Sequence, residues 1–546
     1  MRIVPLAPLA SSRRLGARVL AMTAVVALVP VAGVTASMPA TAAAPATSAP
    51  AWAACPPAPG RDPRQECATL AVPLDYRASG GRTIDIAISR IRTAVPGLRR
   101  GILTFNPGGP GGPGIDLPSA FAGFAPPEVL ARYDLIGFDP RGIAQSTPIT
   151  CGLGQSDPTL LLPYPAPDGR IARNVAFART TAARCEAGAG DVLRHITTAN
   201  TARDMDRIRA ALGEPKLSYL GISYGTYLGA VYTSLFPHRS DRIVLDSAVD
   251  PTIVWRGMWR TWSAGVELRF GDFATFAAAN DATYGLGATP ARVRATFDRI
   301  VSTLDRTPIT DPSLPFPLDG NLVREGTRGS LYFDEFLPLL AADLQTIKAI
   351  IDGSTVDVAV VADRLRAASR GNVTAAVDVP VDNQFAALYA IVCGDAPWPR
   401  SIARHVRDVA VDRRVHPLTA GMPANLWPCA FWPHRPVEPP VAVTDRGPRN
   451  VLILQNTRDP ATPLVAALGL RRALGSRAAM VTVDQGGHGT YSLGTCADQI
   501  THAFLITGQL PRRDRFCVGR PLPTGPAGPA GLTAPAAPMI RPAGPL

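Results

Sequence analysis

Gly221-Ile222-Ser223-Tyr224-Gly225 spells G-x-S-x-G between an apolar run, Leu217 to Leu220, and a helix-forming stretch, Thr226 to Tyr232. In a strand–turn–helix setting this pattern puts a serine on a sharp, strained turn whose neighbours must be small. The helix N-terminus behind the serine favours developing negative charge. A hydroxyl at its ordinary pKa is a weak nucleophile and needs a base that a third group orients. His488 fits that base: glycines flank it in Gly486-Gly487-His488-Gly489, on an expected loop after a last strand, Met480 to Val483. His195, His238, His405, His416, His434 and His502 have no such setting. The acid is expected at Asp459, in Gln455-Asn456-Thr457-Arg458-Asp459-Pro460 after the run Val451 to Leu454, because enzymes built on this elbow run Ser, Asp/Glu, His along the chain. Asp246, at the end of Val244-Leu245-Asp246, and Asp484 compete for that role. Asp246 is expected instead to brace the turn entering the segment that follows it.

Attack on a carbonyl creates an oxyanion that needs N–H donors. One is the backbone N–H of Tyr224, next after the nucleophile. The other belongs in Asn106-Pro107-Gly108-Gly109-Pro110-Gly111-Gly112-Pro113-Gly114. Proline cannot donate, which leaves Gly108 or Gly109, with Gly109 preferred. No G-K-[ST] follows this loop, so a phosphate-binding reading fails.

Positioning these groups requires a sheet. Ala68 to Leu74 and Thr83 to Ile88 flank Gly80-Gly81 as a hairpin. Gly101–Phe105, Tyr133–Phe138, Leu217–Leu220, Arg242–Leu245, Val451–Leu454 and Met480–Val483 are near-continuous apolar runs between helical stretches. Such runs belong to a mostly parallel sheet with helices on both faces, an α/β class. The alternation stops between residues 251 and 440, which opens with Trp255, Trp259 and Trp262 and reads as a mainly helical insertion. The expected organisation is therefore a core over 45–250 and 441–520, an insertion over 251–440, and a Pro/Gly/Ala-rich tail over 521–546.

Residues 1–44 read as a signal peptide. They hold Arg2, Arg13, Arg14 and Arg18, no acid, an apolar Val19–Val34 stretch and Ala-x-Ala sites at Ala40–Ala42 and Ala42–Ala44. A retained single-pass anchor is the alternative, and Ser12-Arg13-Arg14-Leu15 leaves the export route open between general and twin-arginine secretion. No later stretch is long and apolar enough to span a bilayer. Eight cysteines in an exported chain favour disulfides. Sequential pairing, Cys55–Cys67, Cys151–Cys185, Cys393–Cys429 and Cys496–Cys517, gives the short loops and is expected among the 105 possibilities. No C-x-x-C occurs, so no metal site is expected. The chain has 546 residues, 46% hydrophobic and 18% charged, which excludes wholesale disorder. Its net charge of +12 comes from dispersed arginines without a basic run, which argues against a nucleic-acid partner.

Asn106 to Gly114, Asp139-Pro140-Arg141-Gly142, Thr197 to Asp206, Gly221 to Gly229, and Asp459 with His488 together resemble the secreted tripeptidyl aminopeptidases of actinobacteria, relatives of prolyl aminopeptidases in the α/β-hydrolase superfamily. The resemblance spans roughly Cys67 to Cys517 and is weakest in the insertion. It departs at Gly142-Ile143-Ala144-Gln145-Ser146, where the family usually carries a second Gly and an Arg before the Ser. It implies Ser223, Asp459 and His488 as a triad, a cap over the site, no cofactor, and hydrolysis of peptides from a free N-terminus. A substrate ammonium then calls for a cap carboxylate. Asp395, beside Cys393, is the first candidate, followed by Glu267 and Glu335. The expectation is a monomeric, secreted or envelope-associated serine hydrolase. A cell-envelope carboxylesterase or lipase with the same triad is the nearest alternative, and a non-catalytic binding protein the more distant one.

Overall fold

The computed structural model describes residues 49–525 apart from 79, 155, 315 and 355–378. The expected signal peptide and most of the expected tail lie outside the described residues. Ten strands form one sheet: β1 (Ala53–Ala54), β2 (Glu66–Pro73), β3 (Thr83–Ile91), β4 (Gly101–Asn106), β5 (Tyr133–Phe138), β6 (Leu217–Ile222), β7 (Ser240–Asp246), β8 (Val451–Arg458), β9 (Ala478–Gly486) and β10 (Arg515–Val518). Their spatial order is β1-β2-β3-β5-β4-β6-β7-β8-β9-β10. β1, β2, β3 and β5 pair antiparallel, with Val72 opposite Ile84 in the expected hairpin. From β5 onward every pairing is parallel.

The apolar runs form the strands because both faces are covered. Every residue of β4 and of β6 is buried. Alternate side chains serve opposite faces, as strand geometry requires. Leu217 and Tyr219 join the core beneath the helices Thr198–Ala211, Tyr224–Leu235 and Leu464–Leu474. Leu220 and Ile222 join the opposite core, against Phe121 and Phe504 of Leu117–Ala122 and Cys496–Thr507. Full burial of each such side chain is worth about 1.5–3 kcal/mol.

Between β7 and β8 the described residues are mainly helical: Arg256–Ala279, Pro290–Arg306, Gly320–Ser330, Leu337–Ile351, Asn383–Asp395 and Ile402–Val415. The first four build a core of their own around Phe270, Phe273, Phe297 and Leu340. Asn383–Asp395 does not. Its Ala386 to Val392 are buried in the same core as the sheet.

All four disulfides follow the sequential pairing. Two strands differ from the sequence reading. β1 is an addition, and β10 runs parallel to β9 outside it, so His488 follows the penultimate strand rather than the last. β10 escaped notice because three of its four residues are exposed and no period marks it; the Cys496–Cys517 bridge pins it.

Candidate active site

β4 lies between β5 and β6, so the chain runs from β4 out to β5 and then crosses back past β4 to β6, and the reversal opens a crevice at the strand C-termini. The G-x-S-x-G turn rises there. Ser223 has φ 58° and ψ −123°, a conformation disfavoured for residues with a Cβ. The flanking glycines are set by contact. A Cβ on Gly221 would lie 2.4 Å from the Gly225 carbonyl oxygen, and one on Gly225 would lie 2.7 Å from that of Asn106. The Ser223 N–H donates to the Asp246 carbonyl at 2.9 Å, which hangs the turn on β7.

Asp459 follows β8 and is buried. Its Oδ1 accepts the N–H groups of Ala461 and Thr462, both at 2.8 Å, and its Oδ2 accepts the Thr462 hydroxyl at 2.9 Å. His488 Nδ1 lies 2.8 Å from Asp459 Oδ2. A carboxylate there holds the proton on Nδ1 and leaves Nε2 as the acceptor. Four hydrogen bonds from three residues hold the His488 loop. Asn456 donates to the Gly487 and Gly489 carbonyls, and Ser247 Oγ accepts the Gly489 N–H at 2.8 Å. The insertion supplies the fourth contact: the His488 N–H donates to the Tyr332 carbonyl at 2.7 Å, with the two rings edge-on at 5.1 Å.

Asp246 makes no hydrogen bond to the His488 ring among the described residues, and in the turn into the insertion its carboxylate meets only the Ser247 hydroxyl, at 3.2 Å. Its carboxylate accepts the N–H groups of Thr490 at 2.9 Å and Tyr491 at 2.8 Å, so it braces the loop beyond His488. Asp484 is half-exposed and pairs with Arg458.

Ser223, Tyr224, His488, Thr462 and Gly109 line one cavity. The insertion roofs it with Trp255, Met258, Trp259, Trp262 and Tyr332. The Gly108 N–H donates to Asn106 Oδ1 at 3.0 Å. Neither Gly109 nor Tyr224 donates its N–H to another group among the described residues.

None of the three cap acids lines this cavity. Glu267 accepts from Arg294 at 2.8 Å and from the Leu418 N–H at 3.0 Å. Glu335 sits 4.0 Å from Arg520. Asp395 is buried on the far side of Tyr224, where three donors engage it. Thr462, Ser247 and Tyr332 were not singled out in the sequence. Asp459-Pro460-Ala461-Thr462 carried a readable signal, an Asp followed by a turn that its own side chain closes. Tyr332 carried none.

Residues 101–312 match the family model "alpha/beta hydrolase fold", and residues 418–517, which contain Asp459 and His488, match "TAP-like protein". A tripeptidyl aminopeptidase of Streptomyces lividans is 35% identical over 482 residues, 84% of each chain. The chain belongs to the tripeptidyl aminopeptidase family of α/β-hydrolase-fold enzymes. It is a serine hydrolase. Serine protease Hip1 of Mycobacterium tuberculosis is 32% identical over 473 residues, 83% of this chain and 87% of that one. Carboxylesterase B of the same organism is 30% identical over 467 residues, 83% and 86%. Both peptidases and an esterase thus share the family's scaffold. Among the described residues no cluster of His, Cys, Asp and Glu could hold a metal ion, and no helix is long and apolar enough to cross a membrane.

Proposed function

We propose that this chain is an exported aminopeptidase that releases short peptides, tripeptides foremost, from free N-termini. The observation that carries the peptidase reading is the 35% identity to a tripeptidyl aminopeptidase over 84% of each chain; the hydrolytic chemistry is supported by the His488–Asp459 contact of 2.8 Å, with His488 lining the same cavity as Ser223. Ser223 attacks the scissile carbonyl while His488 Nε2 takes its proton. Asp459 holds the imidazole and stabilises it once charged. The N–H groups of Tyr224 and Gly109 receive the oxyanion. His488 returns the proton to the leaving amine, and water then resolves the acyl-enzyme by the same route. No cofactor takes part in this scheme. Residues 251–440 act as a cap over the core, and the enzyme works as a monomer. The four disulfides support an oxidising compartment outside the cytosol.

The carboxylesterase reading keeps a specific observation in its favour. Apart from Ser223, Thr462 and His488, the described lining of the cavity is aromatic and apolar, and it includes no carboxylate to receive an ammonium. Three substrates separate the two: a free-amine tripeptide anilide, its N-acetylated twin, and a short-chain ester. The aminopeptidase reading expects a large loss of kcat/KM on acetylation. Equal cleavage of both anilides removes the requirement for a free N-terminus, and rapid turnover of the ester alone assigns the chain to the esterases.

A further inference from the structure

One buried carboxylate in the cap has no part in the proposed chemistry, yet it reaches the nucleophile's neighbour. Asp395 ends the helix Asn383–Asp395, two residues after Cys393, whose bridge to Cys429 ties down that helix end. Its Oδ1 accepts the Thr198 N–H at 2.8 Å, at the start of the core helix Thr198–Ala211. Its Oδ2 accepts the Thr198 hydroxyl at 2.6 Å and the Trp255 indole N–H at 3.2 Å. A threonine hydroxyl has one proton. Thr198 gives that proton to Asp395, so the contact of 2.9 Å between Thr198 Oγ1 and the Tyr224 hydroxyl has Tyr224 as donor. The direction of the chain is thereby fixed: Tyr224 O–H to Thr198, and Thr198 O–H to Asp395. Burial pushes the Asp395 carboxyl up to about 6, so at neutral pH it is still the carboxylate that this chain requires.

Both ends of the arrangement bear on the Ser223 cavity. Tyr224 directly follows the nucleophile, and its backbone N–H is the proposed oxyanion donor. Its ring lies 5.7 Å from that of Trp255, which continues into Trp259 and Trp262 at 5.5 and 4.5 Å along the roof. A residue that pulls on the Tyr224 hydroxyl fixes the turn carrying the N–H. A residue that holds the Trp255 indole fixes the first ring of the roof.

We propose that Asp395 is a positioning residue: through Thr198 it orients Tyr224, and with it the oxyanion-binding N–H, while through Trp255 it registers the cap's aromatic roof over the nucleophile. This rests on Ser223 being the nucleophile, and it holds for an amide or an ester substrate alike. An N–H that meets the oxyanion acts only in the transition state, so misplacing it lowers kcat and leaves KM nearly unchanged.

The test is an isosteric pair with one further variant, assayed on whichever chromogenic substrate the wild-type enzyme turns over. Thr198→Val keeps the shape and the backbone N–H but removes the relaying hydroxyl. Thr198→Ser keeps the hydroxyl. Tyr224→Phe removes only the donor at the far end. The expected result is a kcat about tenfold lower in Thr198→Val and in Tyr224→Phe, with KM within about twofold. Thr198→Ser should stay near wild type. The double variant should be no slower than either single variant, because both cut the same chain. Wild-type kcat in Thr198→Val, an equal loss in Thr198→Ser, or losses that multiply in the double variant would each overturn the proposal. Undiminished turnover in Ser223→Ala would remove the nucleophile and the relay together.

Discussion

At the scale of single residues, the elbow was legible because its constraints are local. Gly221 and Gly225 are dictated by backbone atoms within four positions or on the adjacent strand, and the pattern records them directly. Removing the Ser223 hydroxyl should therefore leave the fold intact and lower kcat by about 10⁴–10⁶. Asp459→Asn should cost a similar or smaller factor, because an amide holds the wrong imidazole tautomer. Steady-state kinetics on the purified variants check both, and near-normal kcat in either removes that residue from the mechanism. Asp246 was illegible for the opposite reason. Its partners, Thr490 and Tyr491, lie more than two hundred positions away and are brought to it by the parallel array β7-β8-β9. Nothing in Val244-Leu245-Asp246 points to them. Asp246→Asn keeps a side-chain oxygen for those N–H groups and should retain far more activity than Asp459→Asn. The reverse ranking would exchange the two acids.

At the scale of elements, the strands read well because a parallel strand covered on both faces is apolar throughout, and the insertion read poorly because no period reports what a helix docks against. The join between the two is the clearest example. Arg269, wholly buried in the helix Arg256–Ala279, donates to Asp272 at 2.7 Å, to Asp334, and to the Leu331 carbonyl at 3.1 Å. Asp272 also accepts from Arg458, the residue before Asp459, at 2.9 Å. Asp334 accepts from Gln485, three before His488, at 2.6 Å. Through Asp272 and Asp334, one guanidinium thus links the insertion to Arg458 and Gln485, on the two strands that lead to Asp459 and His488. Arg269→Met should destabilise the protein by about 3–5 kcal/mol, because two acids lose their shared cation in a buried setting. Denaturant unfolding measures it, and a change below 1 kcal/mol would show that the clasp is peripheral. The Cys496–Cys517 bridge closes a loop of 21 residues and fastens β10. Its removal by paired Ser substitutions should cost about 3 kcal/mol. An unchanged unfolding midpoint would contradict that.

At the scale of the whole molecule, the cap and the sheet share a hydrophobic core through the helix Asn383–Asp395, and a titrating group is sealed inside it. Desolvation raises Asp395 to about 6, the nearby Glu438 carboxylate adds to the rise, and donors from Thr198 and Trp255 oppose it. An unfolded aspartate titrates near 3.9. The folded state therefore takes up this proton first as pH falls. The associated stability is complete below about 4 and is lost as pH rises through about 6. Wild type should accordingly gain on Asp395→Asn by about 1 kcal/mol between pH 7.5 and pH 5. Parallel unfolding midpoints across that range would show that Asp395 titrates normally.

Every step of the proposed chemistry runs through one hydroxyl, in the cavity between the insertion and the sheet. A fluorophosphonate reacts with a serine that a neighbouring imidazole activates and carries no bias toward peptide or ester. Labelling the mature protein and mapping the adduct by peptide mass spectrometry therefore tests the triad itself. A single adduct on Ser223, lost when His488 is replaced by Ala, is the expected result. No adduct on active protein, or an adduct on another residue, would contradict it.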